Sequence, residues 1–228
     1  MKKTSGNLRL FLEAISKFAL GVVLVGALLF WPAGTLAFPQ GWLFLGVLFV
    51  PMFGAGLVML AKNPNLLRSR LDAKEKQKAQ DLVVKLSGLM FLAGFIAAGL
   101  NFRFGWWVLP WGVSLAGAVV FLIAYLLYAE VLRENTWLSR TIEVQENQTV
   151  VDRGLYGIVR HPMYSVTLLL FLSMPLVLGC FYSFLIFLVY PLLIAQRIRH
   201  EEAFLEQELP GYREYKQKVK YRLIPFIW

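Results

Sequence analysis

Four long stretches without a charged residue dominate the chain, covering 18–61, 86–102, 104–129 and 162–196. One membrane crossing needs about 20 apolar residues. The 44 residues of the first stretch therefore predict two crossings joined by a turn. Trp31-Pro32-Ala33-Gly34 and Phe38-Pro39-Gln40-Gly41-Trp42 supply helix breakers and interfacial aromatics for that turn. Pro51 predicts a kink in the second crossing. The second and third stretches predict one crossing each, joined by a short turn at Asn101-Phe-Arg-Phe-Gly105. Gly94 and Ala98, four apart, predict a close helix–helix contact.

The last stretch is different. Its 35 residues are too few for two full crossings and a turn. A break at Leu178-Gly-Cys-Phe181 divides it, so the pattern predicts a hairpin of two short helices. Such a hairpin must be buried against other helices or thin the bilayer locally.

Polar segments separate these runs. Residues 1–17 read as a short interfacial helix. The apolar run after them exceeds a signal-peptide core and leads into another crossing, so it is expected to be retained. Residues 62–85 read as a basic loop. In 130–161, Thr141-Ile-Glu-Val and Gln148-Thr-Val-Val predict a small hairpin or two extended pieces. Asn147-Gln-Thr149 matches a glycosylation acceptor and is read as chance in a loop expected to be cytoplasmic. The tail from Arg197 is charged and amphipathic, with a break at Leu209-Pro-Gly-Tyr212. The predicted fold is an all-α, multi-pass helical bundle of four full spans plus a short C-terminal helical hairpin. Its two expected regions are a membrane part, 1–129, and a C-terminal part, 130–228.

Composition agrees with a membrane protein: 58% hydrophobic residues, 16% charged, mean hydropathy +0.59. Soluble domains average about 45–50% apolar and about 25% charged. Of the 23 Lys and Arg residues, all but Arg103 fall in the N-terminus, the 62–85 and 130–161 loops and the tail. That asymmetry predicts an integral membrane protein with both termini cytoplasmic. It also accounts for the net charge of +9 without a nucleic-acid partner. The single Cys180 excludes an intramolecular disulfide and a cysteine-based metal cage. Two histidines, His161 and His200, are too few for a histidine-rich metal site.

The candidate chemistry lies in Gly154-Leu-Tyr-Gly-Ile-Val-Arg-His-Pro-Met-Tyr164, where the charged loop meets the last apolar run. A proline is well placed at the first position of a helix, and the residue before it is pushed out of helical geometry. His161-Pro162 therefore predicts a helix start, with free N–H groups suited to an anionic ligand group. The alternative is an interfacial Arg, His and Tyr anchoring a span. Downstream, Arg197 and Glu201 share a helix face. Glu202 is open to two readings, a cofactor contact or a pair with Arg199. Carboxylates suit ribose hydroxyls or an ammonium group, and aromatic faces suit a sulfonium. S-adenosyl-L-methionine carries all of these groups.

Gly154-Leu-Tyr156, Arg160-His-Pro-Met-Tyr164, Glu201-Glu-x-x-Leu205, Gly211-Tyr-x-x-Tyr215 and Arg222-Leu-Ile-Pro225 resemble the isoprenylcysteine carboxyl methyltransferase family, whose wider relatives include phospholipid methyltransferases. The resemblance covers roughly residues 130–228. It implies a membrane enzyme that transfers methyl from S-adenosyl-L-methionine to a lipid-like or prenylated acceptor at the cytoplasmic face, the acceptor group being a carboxylate. The implied cofactor contacts are Gln148, Thr149, Val150, Val151, Tyr156, His161, Pro162, Met163, Tyr164 and Glu201, lining a cytoplasmic pocket. Arg197 falls where the family has an arginine tied to the acceptor. The alternative is an amine acceptor, as in the phospholipid N-methyltransferases, for which His161 or Glu202 would be the candidate base. Two positions depart from the family: Leu209-Pro210-Gly211 stands where Phe-Gly is common, and Gln148 where some relatives have histidine. A further alternative is a sterol-reductase-like enzyme using NADPH, with Arg160, Arg197 and Arg199 on its phosphates. Tyr212 and Tyr215 read as packing residues.

Overall fold

The computed structural model describes residues 2–71, 78–135, 137, 138 and 144–228. Nine α-helices follow one another along these residues: α1 Lys2–Ala33, α2 Pro39–Lys62, α3 Pro64–Leu71, α4 Lys78–Phe104, α5 Trp111–Glu134, α6 Pro162–Val177, α7 Phe181–Phe187, α8 Tyr190–Glu208 and α9 Tyr212–Lys218. Five segments are long and apolar enough to cross a membrane: Leu8–Ala33, Pro39–Lys62, Leu82–Phe104, Trp111–Glu134 and Phe181–Glu208. The chain is an integral, multi-pass helical membrane protein. Leu20, Val50, Leu126 and Leu192 stand on the outside of the bundle, where lipid takes the place of a core.

The pattern of runs places α2, α4 and α5, but several expectations change. First, the interfacial helix and the first crossing are one helix, α1, because nothing in the early chain interrupts the backbone ladder before Pro32. Second, the basic 62–85 segment is not all loop. Asn63 interrupts the helix for one residue, its side-chain oxygen accepts the Leu66 N–H, and α3 follows. Third, the C-terminal hairpin is not made of two short helices. Its first limb, α6, is 16 residues. Its second limb is the 28-residue stretch Phe181–Glu208, broken only at Leu188-Val189, just before Pro191. α2 runs unbroken through Pro51. The expected turn at Asn101 begins later, at Gly105 (φ 63°), and Asn101 belongs to the last turn of α4.

Thr141–Glu143, half of the expected polar hairpin, and Arg140 lie outside the described residues. The other half, Gln148–Val151, is irregular chain rather than strand. It leaves a tight turn in which the Gln148 N–H donates to the Gln145 carbonyl and Gln148 Oε1 accepts the Gln145 N–H.

α6 is short yet reaches from one end of the bundle to the other. Its start carries the charged motif. Beyond its end, Gly179 O accepts the Leu109 N–H at 2.9 Å, and Cys180 bridges Val108. The α5 N-terminal turn is thus tied to the α6–α7 turn. Asn101 holds the same corner: its side-chain oxygen accepts the Trp107 N–H, and its amide donates to Trp107 O. At 1.5 Å per residue, α6 covers about 24 Å against a hydrocarbon core of about 30 Å. Half its residues are buried between neighbours, which spares it from matching the bilayer by itself.

One core joins the early and late parts of the chain, with Leu29, Phe44, Phe121, Val177, Phe187 and Ile198 almost fully buried. The Gly94–Ala98 contact forms as the spacing predicted. A Cβ on Gly94 would lie 2.3 Å from the Phe187 ring, and Ala98 is fully buried. That close approach seats α7 against α4.

Candidate functional site

The charged motif is held by the tail. Pro162 starts α6, and His161 sits at its cap in a non-helical conformation (φ −125°, ψ 61°). Arg160 and His161 donate their backbone N–H groups to Tyr221 O and Arg222 O, both at 2.9 Å. The Arg160 guanidinium donates to the carbonyls of Val219 and Lys220. Ser165, one turn into α6, donates to Leu223 O. Residues 219–223 are thereby stitched onto the helix start.

Upstream, Gly154 is built for one contact. The Glu134 carboxylate at the end of α5 accepts the Leu155 N–H through both oxygens. A Cβ on Gly154 would fall 1.6 Å from that carboxylate, and its φ of +57° favours glycine in any case. The 3-10 turn Gly154–Gly157 that follows carries Tyr156 inward. Its carbonyl accepts the Tyr215 hydroxyl at 2.7 Å.

The centre of the arrangement is Glu202, which is 2% exposed. Oε1 accepts from Arg160 Nε at 2.7 Å and lies 3.3 Å from His161 Nε2. Oε2 accepts from Arg222 Nε at 2.9 Å. A carboxylate gripped by two guanidinium groups accepts only, so the Nε2 beside it carries the imidazole proton. Nδ1 then faces Glu201, 4.0 Å away. Of the two readings of Glu202, the pair forms, but with Arg160 and Arg222; Arg199 is exposed.

Arg197 and Glu201 share a face, as their spacing requires, and Tyr164 stands between them. Arg197 Nε donates to the Tyr164 oxygen at 2.8 Å, and the Tyr164 hydroxyl donates to Glu201 Oε2 at 2.6 Å. The His161 and Tyr164 rings stack 5.8 Å apart.

These groups border a cavity of about 110 Å³ at the end of the bundle, several times the room one water needs. Gln148, Thr149, Val150, Val151, Tyr156, His161, Met163, Tyr164 and Glu201 all line it. Pro162 does not. It caps the helix and faces an apolar groove on the other side of α6. Glu202 lies behind the cavity wall, and Arg197 reaches it through Tyr164. Several lining residues escaped the sequence reading: Asn135, Trp137 and Leu138 just after α5, and Leu205, Leu209, Tyr212 and Tyr215. The two tyrosines do pack, in a small core with Leu209 and Val219, and line the cavity as well; Trp137 carries no motif signal. Burial raises the Tyr212 and Tyr215 phenols well above their ordinary range, keeping both neutral at physiological pH. Tyr212 Oη is buried without a hydrogen-bond partner among the described residues.

The sequence model of the Isoprenylcysteine carboxyl methyltransferase (ICMT) family matches residues 114–207, from near the start of α5 to the last turn of α8. Over this stretch the chain is isoprenylcysteine carboxyl methyltransferase-like. It is therefore an S-adenosylmethionine-dependent membrane methyltransferase. No individual curated protein matches the chain. The methyltransferase match contains the whole Gly154–Tyr164 motif, Arg197, Glu201 and Glu202. It excludes α1–α4 and the tail, although the tail supplies Arg222 and the carbonyls that hold Arg160. The NADPH arrangement has no counterpart in the geometry: Arg160 is consumed by Glu202 and the tail, Arg197 points to Tyr164, and Arg199 is exposed.

Proposed function

We propose that this methyltransferase binds S-adenosyl-L-methionine in the cavity between the α6 start, α8 and α9, and methylates the carboxylate of a lipid-like or prenylated acceptor at the cytoplasmic face. The observation that carries this reading is the convergence of His161, Tyr164 and Glu201 on one cavity, with Arg197 joined to it through the Tyr164 hydroxyl.

The chemistry of the cavity suits the cofactor. The Glu201 side chain is 22% exposed and has lone pairs left for ribose hydroxyls or an ammonium group. Tyr156, Tyr164 and Tyr212 offer ring faces to a sulfonium. The Tyr212 hydroxyl, without a partner among the described residues, is available to a bound ligand. At the start of α6 the Met163 N–H is the donor left for a carboxylate, since Pro162 has none and Tyr164 and Ser165 donate to His161 O. Bound there, S-adenosyl-L-methionine supplies an electrophilic methyl group.

Arg197 orients the acceptor carboxylate, held in place by its bond to Tyr164. Tyr164 also fixes Glu201, so acceptor and cofactor positions are coupled through one hydroxyl. An anionic carboxylate needs no base, and the rate enhancement comes from alignment and from exclusion of water. This favours O-methylation over N-methylation. An amine acceptor must lose a proton, and Glu202 has both oxygens occupied by Arg160 and Arg222. His161 then serves the cofactor side, oriented by Glu202.

Calorimetry of the purified protein in lipid nanodiscs with S-adenosylhomocysteine tests the cofactor assignment. Saturable binding is expected. Glu201→Gln and His161→Ala are each expected to weaken it about tenfold or more, the scale of a lost hydrogen bond to a charged group. Arg197→Ala is expected to retain binding and lose turnover. A folded protein that does not bind S-adenosylhomocysteine, or that binds NADPH in competition with it, sinks the reading. A radiolabelled methyl-transfer assay on membranes addresses the acceptor: the product is expected to be base-labile, as an ester is.

A further inference from the structure

The tail segment that locks the site is followed at once by a loop with an exposed apolar tip. Residues 222–228 close on themselves. The N–H groups of Arg222, Leu223 and Ile224 converge on Trp228 O, and Ile227 and Trp228 donate back to Ile224 O. Closure forces Phe226 to φ +67°, an unfavourable conformation for a bulky residue that persists only where its surroundings dictate it. The result is a tip that turns its apolar side chains outward: Phe226 is 87% exposed and Ile227 76%.

This tip is continuous with the lipid-facing wall. Leu223 and Pro225, on its inner side, line an apolar groove of about 180 Å³ together with Leu127 of α5, Ile158, and Val166 and Leu169 of α6. The one hydroxyl there, Ser165 Oγ, is consumed by Leu223 O. Leu127 lies within a membrane-crossing segment, and its neighbour Leu126 is exposed on the bundle's outside. On the other flank of the tip stand exposed Lys220 and half-buried Tyr221 and Arg222. An apolar tip with a basic and aromatic flank is the composition of a segment lying in the membrane interface.

We infer that the loop Ile224–Ile227 is a membrane-interface anchor: Phe226 and Ile227 insert among the acyl chains of the adjacent leaflet, an acyl chain fills the groove beside Leu223, and this anchorage holds residues 219–223 against Arg160 and His161. The inference is independent of which methyl acceptor or cofactor the enzyme uses. It makes the integrity of the charged site depend on lipid, because the carbonyls of Val219 to Arg222 that fix Arg160 and His161 come from the strip directly before the anchor.

The test uses the full chain in nanodiscs of phosphatidylcholine and phosphatidylglycerol. Single cysteines replace Phe226, Ile227, Leu126 or Gln217 in a Cys180→Ser background, and each carries a nitroxide. At 226 and 227, collision with oxygen is expected to exceed collision with a water-soluble nickel chelate, as at 126 and opposite to 217. Chelate access equal to that at 217 overturns the inference. So does label–label broadening, which would place a second copy of the chain on the loop instead of lipid. In parallel, hydrogen exchange of the Arg160 and His161 amides is measured in the double variant Phe226→Ser/Ile227→Ser. It is expected to accelerate by about tenfold or more, the scale of removing two large apolar side chains from lipid. Unchanged exchange overturns the coupling of anchor to site.

Discussion

At the residue scale, two adjacent glutamates divide the work. Glu202 is buried and surrounded by positive groups, whereas Glu201 opens to the cavity. Removing the charge from Glu202 leaves Arg160 and Arg222 without their counterion, and breaking a buried pair costs about 3–5 kcal/mol. Glu202→Gln is therefore expected to lower thermal stability in detergent steeply. Glu201→Gln is expected to leave stability nearly unchanged and to affect ligand binding alone. Tryptophan fluorescence on heating compares the two. Tyr164 makes a finer point. Tyr164→Phe keeps the ring stacked on His161 but cuts the bond from Arg197 and the bond to Glu201. Turnover is expected to fall about tenfold or more, the scale of charge-assisted hydrogen bonds, with the affinity for S-adenosylhomocysteine falling less. Equal losses in both would mean that the hydroxyl serves cofactor binding only.

At the element scale, the short α6 depends on its neighbours. α5 packs along it, and α7 is drawn onto α4 where Gly94 leaves room for Phe187. Gly94→Val fills that room with atoms the ring already occupies. Overpacking of this kind costs about 1–3 kcal/mol. It is expected to lower the melting temperature, and Phe187→Leu is expected to restore part of the loss. A double-mutant cycle on thermal unfolding reads the coupling; strict additivity would mean that the two residues do not meet. Much of this scale was legible beforehand: the charge-free runs, the Gly94–Ala98 spacing, the Gly179 break and the helix start at Pro162. The continuity of α1 was not. Amphiphilic and apolar helix share one backbone ladder, and a change of polarity along it marks a change of solvent, not a helix end.

At the scale of the whole molecule, α6 connects the charged end of the bundle to the turn at Trp107–Leu109. Counted as a pass beside the five long spans, it brings the start of α1 and the tail to the same end. The Lys and Arg asymmetry predicts that this end is cytoplasmic. Reporter fusions check it. Alkaline phosphatase placed after Gly105 is expected to be active, and a fluorescent protein fused after residue 228 is expected to fluoresce. The reverse pattern would put the cavity on the opposite face, away from a cytosolic cofactor supply.

By itself the sequence determined the solvent of each segment. Charge-free length decides which stretches enter lipid, and local punctuation decides where helices start. It also marked His161, Tyr164, Arg197 and Glu201, because a helix start before proline and a pair four residues apart are local patterns. Only the tertiary structure decided what those residues do to one another. Tyr164 stands between Arg197 and Glu201 because α6 and α8 meet across 33 and 37 positions of sequence. Glu202 turns inward because Arg222 returns from the tail to face Arg160. Periodicity places a side chain on a face of its own helix, and it carries no information about which partner will come to that face.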